Sequence, residues 1–136
     1  MTISGPISLY ASVRALECLC ALSLLIQTME FLRLRAATRS EGVWSWQIQR
    51  ADVSHAPAWL RKVFDRLYED RIHHLHLLLR AGAAASLFAG SSPFSAVLLF
   101  ASTVVILIRW RGAFNGGSDF MTIVALTGLV IANIAA

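Results

Sequence analysis

Four long apolar runs constrain this chain more than any other feature. They cover about residues 8–32, 73–90, 94–110 and 119–136, each near the roughly 20 residues that a helix needs to cross a bilayer. Of the 136 residues 57% are hydrophobic and 15% charged, whereas soluble domains are about a quarter charged and could not bury so much apolar surface at this size. The sequence therefore predicts an all-α, polytopic membrane protein: one membrane domain over residues 1–136 with four transmembrane helices.

Basic side chains gather on one side of this topology. Loops rich in Arg and Lys stay in the cytoplasm, and residues 1–9 and 90–94 carry no charged side chain. We therefore expect a multi-pass protein of the bacterial inner membrane with both termini periplasmic. The basic residues lie between apolar runs rather than on one soluble face, which excludes a nucleic-acid partner. In the loop 33–71 they are Arg33, Arg35, Arg39, Arg50, Arg61, Lys62, Arg66 and Arg71, and the connection after the third run adds Arg109 and Arg111.

The loop 33–71 contains an amphipathic pattern. Ser54 and Pro57 are helix-start signals, and the spacing of apolar residues predicts a cytoplasmic interfacial helix over about residues 55–71. Two compatible roles follow: the helix lies in the headgroup layer, or it covers the cytoplasmic ends of the bundle. Just before it, "GVWSWQIQ" alternates like an extended strand lying on the membrane surface. The apolar face of the helix consists of Trp59, Leu60, Val63, Phe64, Leu67 and Tyr68.

The stretch "DRIHHLHLLLRAG" places His73, His76 and Arg80 on one stripe of the second span. A metal site needs three or four converging ligands, and His74 points away from this stripe, so we predict no metal. Histidines at the membrane interface without a special role are one interpretation. The others are proton handling and contact with a quinone.

Arg80 needs a partner or a route to water, because a charge in the bilayer core costs about 2.5–3.5 kcal/mol. Gln27 and Glu30 lie at about the same depth on the first span, so we expect either of them to contact His76 or Arg80. Such a contact is either a buried polar interaction that fixes the register of the two helices or part of a pocket for an anionic or quinonoid ligand.

Two features of the first span point to structure rather than chemistry. Arg14 and Glu17, near its outer end, are spaced to form an ion pair. Cys18 and Cys20 point about 200° apart on a helix, which disfavours a thiol-redox role. We interpret the cysteines as small buried hydrophobic residues.

The stretch "RWRGAFNGGSDFMT" is the most patterned part of the chain. Its glycine pair allows a tight turn, after which Ser118 or Asp119 is expected to cap the fourth helix. Alternatively, backbone N–H groups and flanking arginines hold a phosphate or lipid headgroup. The residues of this turn or headgroup site are Arg109, Arg111, Asn115, Gly116, Gly117 and Asp119.

Residues 73–136, an apolar hairpin followed by Arg and "NGGSD", resemble the HTTM group, the horizontally transferred transmembrane domain related to vitamin K-dependent γ-carboxylase. They also resemble four-helix membrane proteins of the DoxX and MauE kind. The resemblance implies the architecture, with Asn115, Gly116, Gly117 and Asp119 as the matching turn. It does not imply carboxylation, because that chemistry requires a lysine base and the only lysine, Lys62, lies in the cytoplasmic loop. DoxX- and MauE-like proteins tend to accompany redox enzymes.

These patterns favour a small membrane protein that is not itself an enzyme. We expect an accessory subunit or assembly factor of a larger redox or energy-converting complex, with membrane lipid and other integral membrane subunits as partners. One alternative is a quinone- or lipid-handling membrane enzyme, with a quinone or bound lipid held by Glu30, His73, His76 and Arg80. A transporter or channel component is the further alternative.

Overall fold

A computed structural model describes residues 6–39, 41–110 and 117–135. All regular secondary structure in these ranges is helical, which confirms the all-α prediction. The long helices are α1 (Pro6–Arg33), α5 (Asp70–Ala89), α6 (Pro93–Arg109) and α7 (Gly117–Ala135). Shorter elements lie between α1 and α5: α2 (Arg35–Thr38), α3 (Trp46–Gln49), a 3₁₀ turn (Arg50–Val53) and α4 (Ala58–Leu67).

The long helices coincide with the four apolar runs to within a few residues. By length and composition only α1, over Tyr10–Arg33, is long and apolar enough to cross a membrane among the described helices. The helix α6 and the Phe120–Ala135 part of α7 are apolar but shorter. The predicted cap of the fourth helix is wrong: α7 already begins at Gly117, so the backbones of Ser118 and Asp119 belong to its first turn.

The four long helices form a closed ring in the order α1, α5, α6, α7, and α7 packs back onto α1. The start of α1 contacts the end of α5, where Arg14 donates a hydrogen bond to the carbonyl oxygen of Leu87, so these helices run antiparallel. We name the two ends of the bundle after buried residues. The Glu17 end contains the start of α1, and the Arg109 end contains the end of α6.

The bundle interior is apolar in its middle and again near the Arg109 end. The central layer is formed by small and aliphatic side chains that allow close packing of the helices. Near the Arg109 end a second cluster contains Phe31 stacked on Trp110, with ring centroids 5.5 Å apart. The central layer consists of Ala21, Leu24, Ala83, Ala84, Leu87, Leu99, Leu126 and Leu129.

Residues 46–68, which we call the collar, pack against the Arg109 end. The predicted strand is wrong: Trp46 opens the short helix α3 rather than continuing an alternating strand. The amphipathic helix exists but spans Ala58–Leu67 rather than about 55–71. It ends early because the extended backbone of Glu69, φ −55° and ψ 135°, starts the separate helix α5.

Candidate functional site

The first polar cluster surrounds Arg80, whose side chain is completely buried. Its Nε donates to Thr28 Oγ1 at 3.1 Å and its Nη2 to Gln27 Oε1 at 2.6 Å. From the other side, Nη1 lies 3.5 Å from Ser102 Oγ. Arg80 on α5 is therefore held between α1 and α6 by neutral oxygen acceptors. We call Gln27, Thr28, His76, Arg80 and Ser102 the Arg80 cluster.

The two stripe histidines extend this cluster toward the Arg109 end. His76 Nε2 lies 2.7 Å from Ser102 Oγ, and the His73 and His76 rings are 6.0 Å apart. His73 is buried, and the Nδ1 atoms of His73 and His76 have no hydrogen-bond partner within the described chain. His73 and His76 thus extend the Arg80 cluster from Ser102 toward the Arg109 end of the bundle.

The prediction that Gln27 contacts Arg80 is confirmed, whereas Glu30 lies exposed on the outer side of α1. Glu30 lies three residues beyond Gln27, about 4.5 Å further along α1, past the level at which Gln27 and Thr28 meet Arg80. Sequence reasoning missed Thr28 and Ser102. Both hydroxyls lie within apolar runs, where no spacing pattern distinguishes them.

A second polar cluster lies at the Glu17 end. Glu17 is completely buried and forms the predicted ion pair with Arg14. Its carboxylate also accepts hydrogen bonds from Ser91 Oγ and Asn133 Nδ2, each at 2.7 Å. The contacts with Ser91 and Asn133 were not predicted, because they join residues 74 and 116 positions away in the chain. This Glu17 cluster closes the ring between α1 and α7.

Arg109 is, with Arg80, one of two buried arginines among the described residues. Its guanidinium lies 5.5 Å from the ring centre of Tyr68 and 5.7 Å from that of Trp110, which suits a cation on aromatic faces. Its Nη2 donates to the Thr38 carbonyl oxygen at 3.2 Å, whereas Nε and Nη1 have no hydrogen-bond partner in the described part of the chain. The other members of the predicted headgroup site, Arg111, Asn115 and Gly116, lie outside the described residues, as does the side chain of Asp119. Gly117 is the first residue of α7.

In the described part of the chain, the cavity beside His73 is too small for a ligand. The cavity beside His73 and Thr38 has a volume of about 10 Å³, which is room for one water molecule at most. Across the described ranges, no three His, Cys, Asp or Glu side chains come together as metal ligands would. Cys18 and Cys20 are free thiols and partly buried.

The collar is fastened by a charged contact outside the apolar helices. Trp46 Nε1 donates to Asp65 Oδ1 at 2.9 Å, and Arg50 Nη2 donates to Oδ2 at 2.7 Å. These hydrogen bonds, that of Trp46 above all, lower the pKa of Asp65 below its ordinary value of 3.8. Nearby, burial raises the pKa of Tyr68, so its hydroxyl stays protonated and donates to the Val105 carbonyl oxygen at 2.6 Å.

Comparison with known proteins adds no family to this geometry. The resemblance to the HTTM group and to DoxX- and MauE-like proteins therefore stays a prediction from residues 73–136. No protein-family model, no curated protein and no solved structure matches the chain.

Proposed function

We propose that this protein is a four-span integral membrane protein that serves as a non-catalytic accessory subunit or assembly factor of a larger membrane complex. The helices α1, α5, α6 and α7 are the proposed spans. Their 28, 20, 17 and 19 residues correspond to about 42, 30, 26 and 29 Å of helix at 1.5 Å per residue. The hydrocarbon core of a bilayer is about 30 Å thick.

One observation supports the membrane proposal: charged side chains are buried inside the bundle, and large apolar side chains are exposed on its outer surface. The completely buried side chains include Glu17, Thr28 and Arg80. In water such residues belong on the surface, whereas in a bilayer ionisable residues face the interior of the bundle. Large apolar side chains are exposed along the long helices: Leu16, Leu19, Leu22, Ile26, Leu75, Leu78, Leu79, Phe94, Val97, Phe120, Met121, Val124, Ile131 and Ile134.

The same proposal assigns the Arg109 end to the cytoplasmic side. The basic loop 33–71 and Arg109 itself lie at this end, whereas residues 90–94 at the Glu17 end carry no charge. Positive residues are retained in the cytoplasm. The proposed location is the bacterial inner membrane, with both termini periplasmic.

The accessory role is proposed from the contacts that the buried polar groups make. Glu17 accepts three side-chain donors, and Arg80 donates to acceptors on two other helices. These groups fasten helices to one another, while the outward faces of α5 and α7 are free to pack on other membrane helices. The DoxX- and MauE-like resemblance favours a redox or energy-converting complex.

Site-specific photo-crosslinking tests the accessory role. A photo-reactive residue replaces the exposed Leu78 of α5 or the exposed Val124 of α7 in cells, and adducts are recovered after mild detergent extraction. We expect crosslinks to the same integral membrane proteins that co-purify in fixed proportion. The matched control is Leu24, which is 1% exposed and should give none. A monodisperse monomer crosslinked only to lipid contradicts the proposal.

A quinone- or lipid-handling enzyme is the second candidate, supported by the half-buried His76 beside Ser102 and Arg80. The Nε2 of His76 and the guanidinium of Arg80 are the groups that would hold a carbonyl oxygen. Purified protein would then carry a quinone that is lost in His76→Phe and retained in His55→Phe, a change in the exposed loop. Absence of quinone from the wild-type protein contradicts this candidate.

A further inference from the structure

The collar helix α4 has two faces with different surroundings. One face packs onto the Arg109 end: Phe64 and Tyr68 are buried and contact Trp46, with Val105 and Ile108 of α6 beside them. The opposite face has no such cover, since Trp59 is 68% and Val63 51% exposed. The predicted apolar face is thus divided: Leu60, Phe64, Leu67 and Tyr68 pack in the cluster at the bundle end, whereas Trp59 and Val63 are exposed.

The first face fixes the depth of α4. Tyr68 donates its hydroxyl hydrogen to the carbonyl oxygen of Val105 at 2.6 Å. Val105 precedes Arg109, the last residue of α6, by four positions, or about 6 Å of helix. The end of α4 therefore lies beside the final turn of α6 rather than beyond it, at the level where the proposed span meets the headgroups.

The second face combines apolar and basic side chains. Trp59, Lys62, Val63 and Arg66 follow one another at i, i+3, i+4 and i+7, so they form one stripe of the helix, and all four are exposed. We call these four residues the outer stripe. Tryptophan prefers the membrane–water interface, and Lys or Arg beside it can reach phosphate groups while its stem stays in apolar surroundings.

The positive charge around the outer stripe indicates what binds to this face of α4. Residues 33–71 carry eight basic and five acidic side chains, and two of the acidic ones, Asp65 and Glu69, pair with Arg50 and Arg66 at 2.7 Å. The exposed arginines 33, 35, 39 and 71 add further positive charge at the same end of the bundle. A surface that presents basic side chains beside apolar ones complements an anionic lipid layer, whose phosphates lie next to its apolar interior.

We propose that the outer stripe docks into the headgroup layer of anionic phospholipid at the Arg109 end. Trp59 and Val63 enter the apolar boundary, and Lys62 and Arg66 bind lipid phosphates, Arg66 in exchange for its exposed pairing with Glu69. The inference rests on the proposed membrane location, and it adds a lipid class and a second, interfacial anchor for the chain. The collar then fixes the height of the bundle in one leaflet.

Nitroxide labels on single cysteines test this proposal in the full-length chain with Cys18→Ala and Cys20→Ala. The labels are placed by Val63→Cys, Ile26→Cys and Ser54→Cys, and the protein is reconstituted in phosphatidylcholine vesicles with or without phosphatidylglycerol. Collision with oxygen reports lipid, and collision with a water-soluble nickel chelate reports water. With phosphatidylglycerol present we expect positions 63 and 26 in lipid and position 54 in water.

Removing charge supplies the second measurement. Adding Lys62→Gln and Arg66→Gln should lower the ratio of lipid-inserted to water-exposed label at position 63 about fivefold per charge, the equivalent of roughly 1 kcal/mol for each basic residue at an anionic surface. Position 26 should not change. A label at 63 in water while 26 is in lipid overturns this inference alone, whereas water at 26 overturns the membrane location itself. Shielding of 63 from both reagents shows a protein occupant and overturns the inference, as does equal insertion without phosphatidylglycerol.

Discussion

Arg80 is accommodated inside the bundle because Thr28, Gln27 and Ser102 accept hydrogen bonds from it. A charge removed from water is tolerated only when hydrogen bonds replace its hydration. The three acceptors come from α1 and α6, so one side chain connects three helices. The same logic applies to Glu17, whose carboxylate joins α1, α7 and the connection between α5 and α6.

Replacing Arg80 by Leu should destabilise the protein by about 2 kcal/mol. The change removes hydrogen bonds to Gln27 and Thr28 that are worth roughly 0.6–1.7 kcal/mol each between membrane helices. Unfolding in detergent, followed by circular dichroism, measures the loss. The control Arg66→Leu alters an exposed residue and should change stability by less than about 0.5 kcal/mol. An Arg80→Leu protein of wild-type stability contradicts the interpretation of Arg80 as a structural contact between helices.

A double-mutant cycle should find Glu17 and Asn133 coupled by about 0.6–1.7 kcal/mol. The variants are Glu17→Ala, Asn133→Ala and both together, with unfolding free energies measured in the same detergent. Thr127→Ala provides the comparison, because Thr127 donates to the Ile123 carbonyl oxygen of its own helix at 2.8 Å, so its effect should add independently to that of Glu17→Ala. Additive effects at positions 17 and 133 would show that their 2.7 Å contact contributes nothing.

How well the sequence predicts the contacts in these clusters depends on how far apart the two residues lie in the sequence. The Arg14–Glu17 pair is local and follows from helical spacing. The Gln27–Arg80 contact follows from matching depths on two antiparallel runs. Asn133 was missed because its depth relative to Glu17 depends on how α7 packs, and that packing is set by apolar side chains whose pattern is nearly uniform around the helix.

At the scale of elements, turns and short helices depart most from expectation. The alternation of Trp44, Trp46 and Ile48 predicts a strand, but Trp44 contacts Trp110 edge-on at 5.8 Å while Trp46 contacts Tyr68 at 4.4 Å. Tertiary contact with two different aromatic residues overrides the local period. Long apolar helices are predicted well, since their length alone distinguishes them from strands.

Gly42→Ala should break the turn between α2 and α3. A Cβ at this position would lie 2.1 Å from the backbone oxygen of Ala37, the same atom that accepts the Trp44 N–H at 2.9 Å. Because a backbone atom cannot move aside cheaply, we expect a loss of about 1–3 kcal/mol and faster hydrogen exchange at Trp44.

Gly82→Ala is the matched control for Gly42→Ala. No atom lies within 4 Å of a Cβ built there, and Ala is favoured over Gly within helices by about 0.5–1 kcal/mol. We expect this variant to be as stable as the wild type or more so. Equal effects at positions 42 and 82 would mean that the turn is not as tightly closed as described.

The collar should loosen in acid. The pKa of Asp65 is lowered, chiefly by the Trp46 hydrogen bond, so the folded state favours the carboxylate. Its contribution to stability is complete above the ordinary pKa of 3.8 and is lost as the pH falls through the lowered value. Carboxyl-carbon NMR should give a lower pKa for Asp65 in the wild type than in Trp46→Phe. Identical titrations in the two proteins would contradict the contact.

At the scale of the whole molecule, the arrangement is layered along the helix axes. The Glu17 cluster, the central apolar layer, the Arg80 cluster and the aromatic Arg109 end follow one another from one end of the bundle to the other. Each layer is formed by residues of different helices that lie at the same level along the bundle. Among the described residues the central apolar layer separates the two polar clusters, which weighs against the transporter alternative.

Cysteine labelling in intact cells should locate the two ends of the bundle on opposite sides of the membrane. In the background Cys18→Ala and Cys20→Ala, we expect an impermeant maleimide to label Ser92→Cys and to reach Ser54→Cys only after the cells are opened. The physical reason is retention of the basic loop 33–71 in the cytoplasm. Labelling of position 54 in intact cells contradicts the proposed orientation.

The polar side chains on α1 have a consequence for how the chain is made. Among the described helices only α1 is long and apolar enough to cross a membrane by itself, whereas α5 carries two guanidinium groups, a carboxylate and three imidazoles. In the proposed setting, α5 would be rejected by lipid as an isolated segment, and it becomes acceptable once Gln27 and Thr28 are there to receive Arg80. Because α1 is synthesised first, it would have to remain beside α5 so that Arg80 meets its acceptors as α5 enters the membrane.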